Sequence, residues 1–247
     1  MSNTRKILLT VGVILLVAVL GFVIWAETPL GPMPEAIGAL ESDTVVAVDT
    51  ERWLTFTPLD SAPQAGVIIY PGGRVDERSY APVARALAEE HGLLAVIAPM
   101  PLNLAVFNAN AAADIMAAYP AINDWVISGH SLGGSMAASF AAENRVDGLA
   151  LWASYPAGDT LVGRDDLPII SIYGTNDGVA TVEDINASRP DLPSNTVWNP
   201  IEGGNHAQFG WYGDQPGDGV ATISRPEQQD QVVQATAALL APASGVE

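Results

Sequence analysis

The sequence predicts an α/β protein: one mostly parallel, twisted sheet with helices on both faces, preceded by an apolar membrane segment. Three observations predict it. Short β-rich apolar runs alternate with single helical patterns from about residue 43 onward, which calls for parallel strands joined by helical crossovers. The 247 residues suffice for one sizeable core, and an α/β chain of this length is usually one domain. No internal repeat or low-complexity tract interrupts the alternation.

The elements follow in order. Residues 1–6 form a short polar N-terminus, and Ile7 to Ala26 is an uncharged, almost wholly apolar run long enough as a helix to cross a bilayer. A cleaved secretory signal is the competing reading. Its apolar core usually spans only ~7 to 15 residues and ends in a small-x-small site, which Ile24-Trp25-Ala26 does not supply. Arg5 and Lys6 precede the run and no basic residue follows until Arg52, so the N-terminus is expected in the cytoplasm and the body outside. Residues 27–42 carry three prolines and no periodicity, and read as a linker. Residues 43–247 are the expected catalytic domain. TVVAVD and WLTFTP are its opening strands, AGVIIYPGG a buried strand entering a turn, and SYAPVARALAEEHG a helix stopped by Gly92. LLAVIAPM is a strand, AVFNANAAADIMAAYP a helix, DWVISG a strand and SLGGSMAASFAAENR a helix of small residues. VDGLALWAS, LPIISIYG and NTVWNPIEG are further strands, and QDQVVQATAALLA is the closing helix.

Composition narrows the function. All 28 acidic residues lie beyond Ala26 against eight arginines, and this negative field makes nucleic acid an unfavourable partner. The absence of cysteine removes thiol nucleophiles, thiolate metal sites and disulfides.

Gly129-His130-Ser131-Leu132-Gly133 has the form G-x-S-x-G between an apolar strand and a helix, the context of a nucleophile elbow. A serine after a glycine turn is otherwise an ordinary N-cap. A serine nucleophile needs a positioned base, and three histidines are available. His91 ends a helix as a capping group, and His130 adjoins the serine and reads as structural. His206, in the glycine loop EGGNHAQFG after the last strand, is the candidate base. The orienting carboxylate should follow a strand between the two, and Asp177 in IISIYGTNDG does so, although N-D-G is also a turn signal. Oxyanion donors are expected from the Leu132 and Gly73 amides, with Arg74 next to the latter.

YPGG, GHSLGG, GTNDG and GGNHAQFG, in this order, resemble the α/β-hydrolase superfamily, over about Val45 to Leu240. YPGGRVDERSY and GGNHAQFGWYGDQPGDG are similar to small, mostly uncharacterised bacterial hydrolases, and more loosely to cutinases and polyester hydrolases. The resemblance implies a serine hydrolase with Ser131, Asp177 and His206 as triad and no metal or organic cofactor. Only Ala153 to Asp166 separates Trp152 from the next strand, so the cap is minimal and the site open. Arg74, Met100, Leu102, Trp152, Tyr155, Phe209 and Trp211 are candidate pocket residues, the apolar ones as walls for an acyl or alcohol group, or else packing residues. Asp214 and Asp218 lack the alternation of a calcium loop and read as turn residues. The expected activity is carboxylic-ester hydrolysis on a small-molecule substrate, at the membrane and outside the cytoplasm. Amide hydrolysis, acyl transfer and a silent binding module on the same fold are the alternatives, and the sequence does not set oligomeric state.

Overall fold

The structure, a computed structural model, describes residues 3–240. Eight strands form one sheet: β1 (Val46–Asp49), β2 (Leu54–Pro58), β3 (Ala65–Tyr70), β4 (Leu94–Ile97), β5 (Asp124–His130), β6 (Gly148–Trp152), β7 (Ile169–Gly174) and β8 (Val197–Ile201). Their order is β1-β2-β4-β3-β5-β6-β7-β8, with β1 and β2 antiparallel at one edge and every pair from β4 to β8 parallel. From β3 the chain steps to β4 on one side and then to β5 on the other. The crevice at the carboxyl ends of β3 and β5 is therefore a topological switch point, where ligands of open α/β sheets bind. Register places Tyr70 opposite Gly129, so the turn after β3 and the turn after β5 start side by side.

Side chains on the central strands alternate between two cores, as the period of two requires. Val67 and Ile69 of β3 join the core under α3 (Ala81–His91) and α7 (Arg225–Ala237). Ile68 and Tyr70 join the opposite one, under α4 (Ala111–Ala118) and α5 (Leu132–Glu143). The remaining helices are α1 (Asn3–Ala26), α2 (Pro34–Gly38) and the short α6 (Val182–Ala187).

Four boundaries differ from the sequence expectation, each for a local reason. The helix expected over 105–120 breaks into a 3-10 turn at Ala105–Phe107 and α4 from Ala111. Asn108 and Asn110 are poor helix formers, and the Tyr70 hydroxyl ends the interruption by donating to the Ala109 carbonyl and accepting the Ala112 N–H, both at 2.8 Å. The closing helix starts earlier, at Arg225, because Ser224 and Glu227 form a reciprocal capping box. Its expected last residue, Ala241, lies outside the described residues. α6 is too short to show periodicity, yet the same device, Thr181 with Asp184, starts it. Finally, the proline-rich stretch 27–42 folds back on the body. Leu30 N–H donates to the Arg74 carbonyl at 2.8 Å, Asp76 N–H to the Leu30 carbonyl at 3.0 Å, and Met33 N–H to the Trp211 carbonyl at 2.7 Å. Ala36 of α2 is fully buried.

α1 stands apart from both cores. It is long and apolar enough to cross a membrane and is exposed along its length apart from the half-buried Val23 and Ala26, the latter fully buried.

Candidate active site

The turn from β5 into α5 carries Ser131 at φ 52°, ψ −124°, a left-handed backbone that a non-glycine residue adopts only when its surroundings impose it. Here they do. Ser131 N–H donates to the Trp152 carbonyl at 3.0 Å, and the Ser154 hydroxyl donates to the Ser131 carbonyl at 2.6 Å. The two motif glycines are required by close approach. A Cβ on Gly133 would lie 2.3 Å from the Tyr70 and Pro71 carbonyl oxygens, and one on Gly129 2.5 Å from the Gly133 backbone.

Asp177 lies in the turn leaving β7 and His206 in the loop leaving β8, both buried. The Asp177 carboxylate serves two purposes at once. Oδ1 accepts the N–H groups of Val179 and Ala180 at 2.8 Å, which is the turn chemistry its N-D-G context announces. Oδ2 accepts from Nδ1 of His206, also at 2.8 Å. An ionised carboxylate only accepts, so Nδ1 carries the proton and Nε2 of His206 is left as the basic nitrogen. Nε2 is buried and has no hydrogen-bond partner among the described residues, so the bond to the Ser131 hydroxyl is not made in this structure. The ring of His130, next to Ser131 in sequence, lies 4.4 Å from the His206 ring between centroids.

His130 sits in a closed aromatic nest rather than at the periphery, stacked on Phe209 at 5.5 Å and near Tyr80 and Tyr212. Burial, reinforced by the adjacent His206 ring, holds its imidazole well below the usual range and therefore neutral. Burial pushes the Tyr80 phenol up, so it stays protonated. Its oxygen accepts the Gly72 N–H at 2.9 Å and shares a hydrogen bond with His130 Nδ1 at 2.8 Å. A continuous buried contact thus runs from the loop after β3 through Tyr80 and His130 to the ring of His206. It also commits the Gly72 amide, leaving Gly73 as the open position of that loop. Gly73 packs directly over the start of α5, since a Cβ there would lie 3.0 Å from Leu132 Cδ2.

The loop bearing His206 is fixed from three sides by residues that sequence reasoning did not assign to the site. Gln228 of α7, fully buried, clamps the Asn205 peptide by accepting its N–H at 3.0 Å and donating to its carbonyl at 2.8 Å. Arg225 donates to the carbonyls of Ala207, Gly210 and Gly213, and its burial lowers its own pKa from the usual arginine range. Asp218 accepts N–H groups of His206 at 3.2 Å and Ala207 at 2.8 Å, and of Gly178, next to Asp177, at 3.1 Å. One carboxylate therefore ties the acid turn to the base loop. Asp218 was visible in YGDQPGDG, but its turn character hid a reach of 40 residues along the chain.

Of the two readings open for the candidate wall residues, packing fits most of them. Trp152 is fully buried and donates its indole N–H to Thr236 of α7 at 3.0 Å. Phe209 is fully buried beneath His130, and Met100 is buried in the α4–α5 core. Trp211 lies beside the Arg225 guanidinium, which is 5.7 Å from the ring. Arg74 does not face the serine either, because its guanidinium binds the end of α1, donating to the carbonyls of Trp25 at 2.8 Å and Thr28 at 2.6 Å. Tyr155 and Leu102 keep exposed surface at the carboxyl edge of the sheet. Asp218 does more than the turn role expected of it, since only its bond to Gly219 N–H is local; His91 ends α3, but the left-handed Gly92 caps the helix through its own N–H, and His91 Nε2 is buried without a partner among the described residues.

A model of an alpha/beta hydrolase family matches residues 66–230, two thirds of the chain, and takes in Ser131, Asp177 and His206. The chain belongs to the alpha/beta hydrolase family. Solved structures of the same fold include a thermophilic esterase of Thermogutta terrifontis with propionate bound, at 17% identity and a TM-score of 0.55, covering 81% of this hydrolase and 96% of that chain. Est1E of Butyrivibrio proteoclasticus aligns at 13% identity and a TM-score of 0.57, over 80% of this hydrolase and all of that chain. A hyperthermophilic esterase of the archaeon Pyrobaculum calidifontis aligns at 16% and 0.57, covering 89% and 90%. No curated protein matches the sequence of this hydrolase.

Proposed function

We propose that this chain is a membrane-anchored carboxylic-ester hydrolase working through an acyl-enzyme on Ser131. The observation that carries the reading is the buried Asp177–His206 pair at 2.8 Å, its Nε2 without a partner among the described residues, at the same carboxyl edge of the sheet as a serine held in a strained elbow. His206 removes the Ser131 proton as the hydroxyl oxygen attacks the ester carbonyl. Asp177 holds the imidazole in its working tautomer and stabilises the imidazolium. The oxyanion is taken by the Leu132 and Gly73 amides, each such donor contributing about 10²–10³ in turnover. His206 returns the proton to the departing alkoxide, and a water repeats the cycle to release the acid. Three solved esterases of the same fold support the choice of ester over other acyl substrates.

Anchoring rests on the way α1 ends. A helix leaves its last carbonyls without intrahelical partners, and those of Trp25 and Ala26 are taken by Arg74 and by the Asn103 amide, the latter at 3.0 Å. Removal of α1 as a signal would strip the Asn103 amide of this partner and Arg74 of its bond to the Trp25 carbonyl, leaving Arg74 only Thr28, so the segment is read as retained. Arg5 and Lys6 before the span support a catalytic body on the outer side.

The test is covalent. Full-length protein treated with a fluorophosphonate should be labelled at Ser131 and lose p-nitrophenyl ester turnover. Ser131→Ala should abolish both, and an alanine variant that keeps esterase activity sinks the proposal.

A further inference from the structure

Resting on that reading, we infer that the mouth of the site faces the bilayer, and that the substrate class is an ester whose acyl chain is embedded in the membrane. The loop between β4 and α4 connects the two. At its near end Leu104 lies over the oxyanion loop, its Cδ2 3.7 Å from where a Cβ on Gly73 would be, and Arg74 N–H donates to the Asn103 carbonyl at 2.8 Å. At its far end Val106 and Phe107 are about half exposed, at 49% and 51%. The Phe107 ring meets the ring of Phe22 on α1 edge to face, 6.4 Å between centroids.

That contact sets the depth. Phe22 precedes Ala26 by four residues, about 6 Å along the helix axis at ~1.5 Å per residue. Phe107 therefore lies about one helical turn back from the seated end of α1, alongside the apolar span and not beyond it. Phe22 and Trp25 are the aromatic belt expected where a span leaves the hydrocarbon. Arg74 fits the same level, its guanidinium 4.4 Å from the Trp25 ring and bonded to the helix-end carbonyls, a favourable place for a cation.

The junction is fixed, not hinged. Arg74, Leu102 and Asn103 all hold left-handed backbone, at φ 57°, 55° and 53°, and each is tied into the α1 end or the oxyanion loop by the bonds above or by direct sequence adjacency to them. The span cannot tilt away from the site without breaking the Arg74 and Asn103 bonds. The exposed apolar pair is thus continuous with the apolar surface of α1, and a lipid surface is its occupant. A bilayer-borne acyl chain meeting Val106 and Phe107 has its ester end brought toward Leu104, Gly73 and Ser131.

The chain has no cysteine, so Phe107→Cys provides a single labelling position in the full-length protein. Labelled with an environment-sensitive nitrobenzoxadiazole and reconstituted in phosphatidylcholine vesicles, position 107 should be quenched by lipids brominated in the acyl chain. Leu59→Cys, exposed after β2 at the opposite edge of the sheet, should not be. In parallel, Val106→Asp/Phe107→Asp should lose about tenfold or more of its turnover of a vesicle-borne palmitoyl 4-methylumbelliferyl ester, and keep turnover of the water-soluble acetate within twofold. Equal quenching at 59 and 107, or an unchanged palmitate-to-acetate ratio, overturns the inference while leaving the esterase reading intact. Failure to float with vesicles, or to hydrolyse either ester, overturns both.

Discussion

Asp218 offers the sharpest check on how the site is assembled, because it touches neither substrate nor nucleophile. Its carboxylate accepts three N–H groups across loops, from Gly178 beside the acid and from His206 and Ala207 at the base, besides that of Gly219. Hydrogen bonds to a charged group contribute about 1.5–3 kcal/mol each. They share one half-buried acceptor, and water reaches the freed N–H groups in the variant, so the sum is well below three times that figure. We expect Asp218→Ala to lose about 2–3 kcal/mol of stability. With both loops released from a common anchor the Asp177–His206 pair drifts, and a misplacement of about 1 Å costs ~10²-fold. Asp218→Asn keeps the shape but turns one acceptor into a donor facing N–H groups, and should fall between. The assay is kcat and KM on a water-soluble p-nitrophenyl ester, with thermal unfolding of the same preparation. KM should change little and kcat should drop. An Asp218→Ala protein with kcat within threefold of wild type refutes the argument, for then Gln228 and Arg225 hold the base loop without it.

Two further outcomes follow from the buried contact between Tyr80 and His130. Tyr80→Phe leaves the Gly72 N–H and His130 Nδ1 buried without partners, at about 1–3 kcal/mol for each unsatisfied group. It should lower the melting temperature and slow fluorophosphonate labelling of Ser131, whereas a substitution that acted on packing alone would leave labelling unchanged at temperatures well below melting. The depressed pKa of His130, caused by burial first and by His206 second, fixes the sign of an acid effect. The unfolded chain takes up this proton near its ordinary value of about 6.5 and the folded chain only well below it, so stability is complete above 6.5 and falls as pH drops through it. The slope is at most ~1.4 kcal/mol per pH unit, and His130→Gln should flatten it in urea unfolding between pH 7 and 5.

What the sequence disclosed and what it withheld divide by the distance over which each requirement acts. The elbow is legible because its demands are local: Gly129 and Gly133 must lack a Cβ so that two backbones can touch around one serine. The Asp177–His206 pairing is legible because an acid and a base must each leave a strand at the same sheet edge, and strands separated by single helices are parallel and so end at one edge. Roles that depend on a distant partner are not. Trp152 looks like a pocket wall until Thr236, 84 residues away, takes its indole N–H. Arg74 looks like a substrate ligand until Trp25, 49 residues earlier, presents a helix-end carbonyl. In both cases the residue type carries an apolar or charged body and a hydrogen-bonding tip, which suits a cleft and an interior equally well, so only the partner decides. Such tips, committed across the fold, hold the loops bearing Gly73 and His206 where the local motifs need them. The chemistry can therefore be read from short motifs, while its alignment rests on long-range bonds that no motif contains.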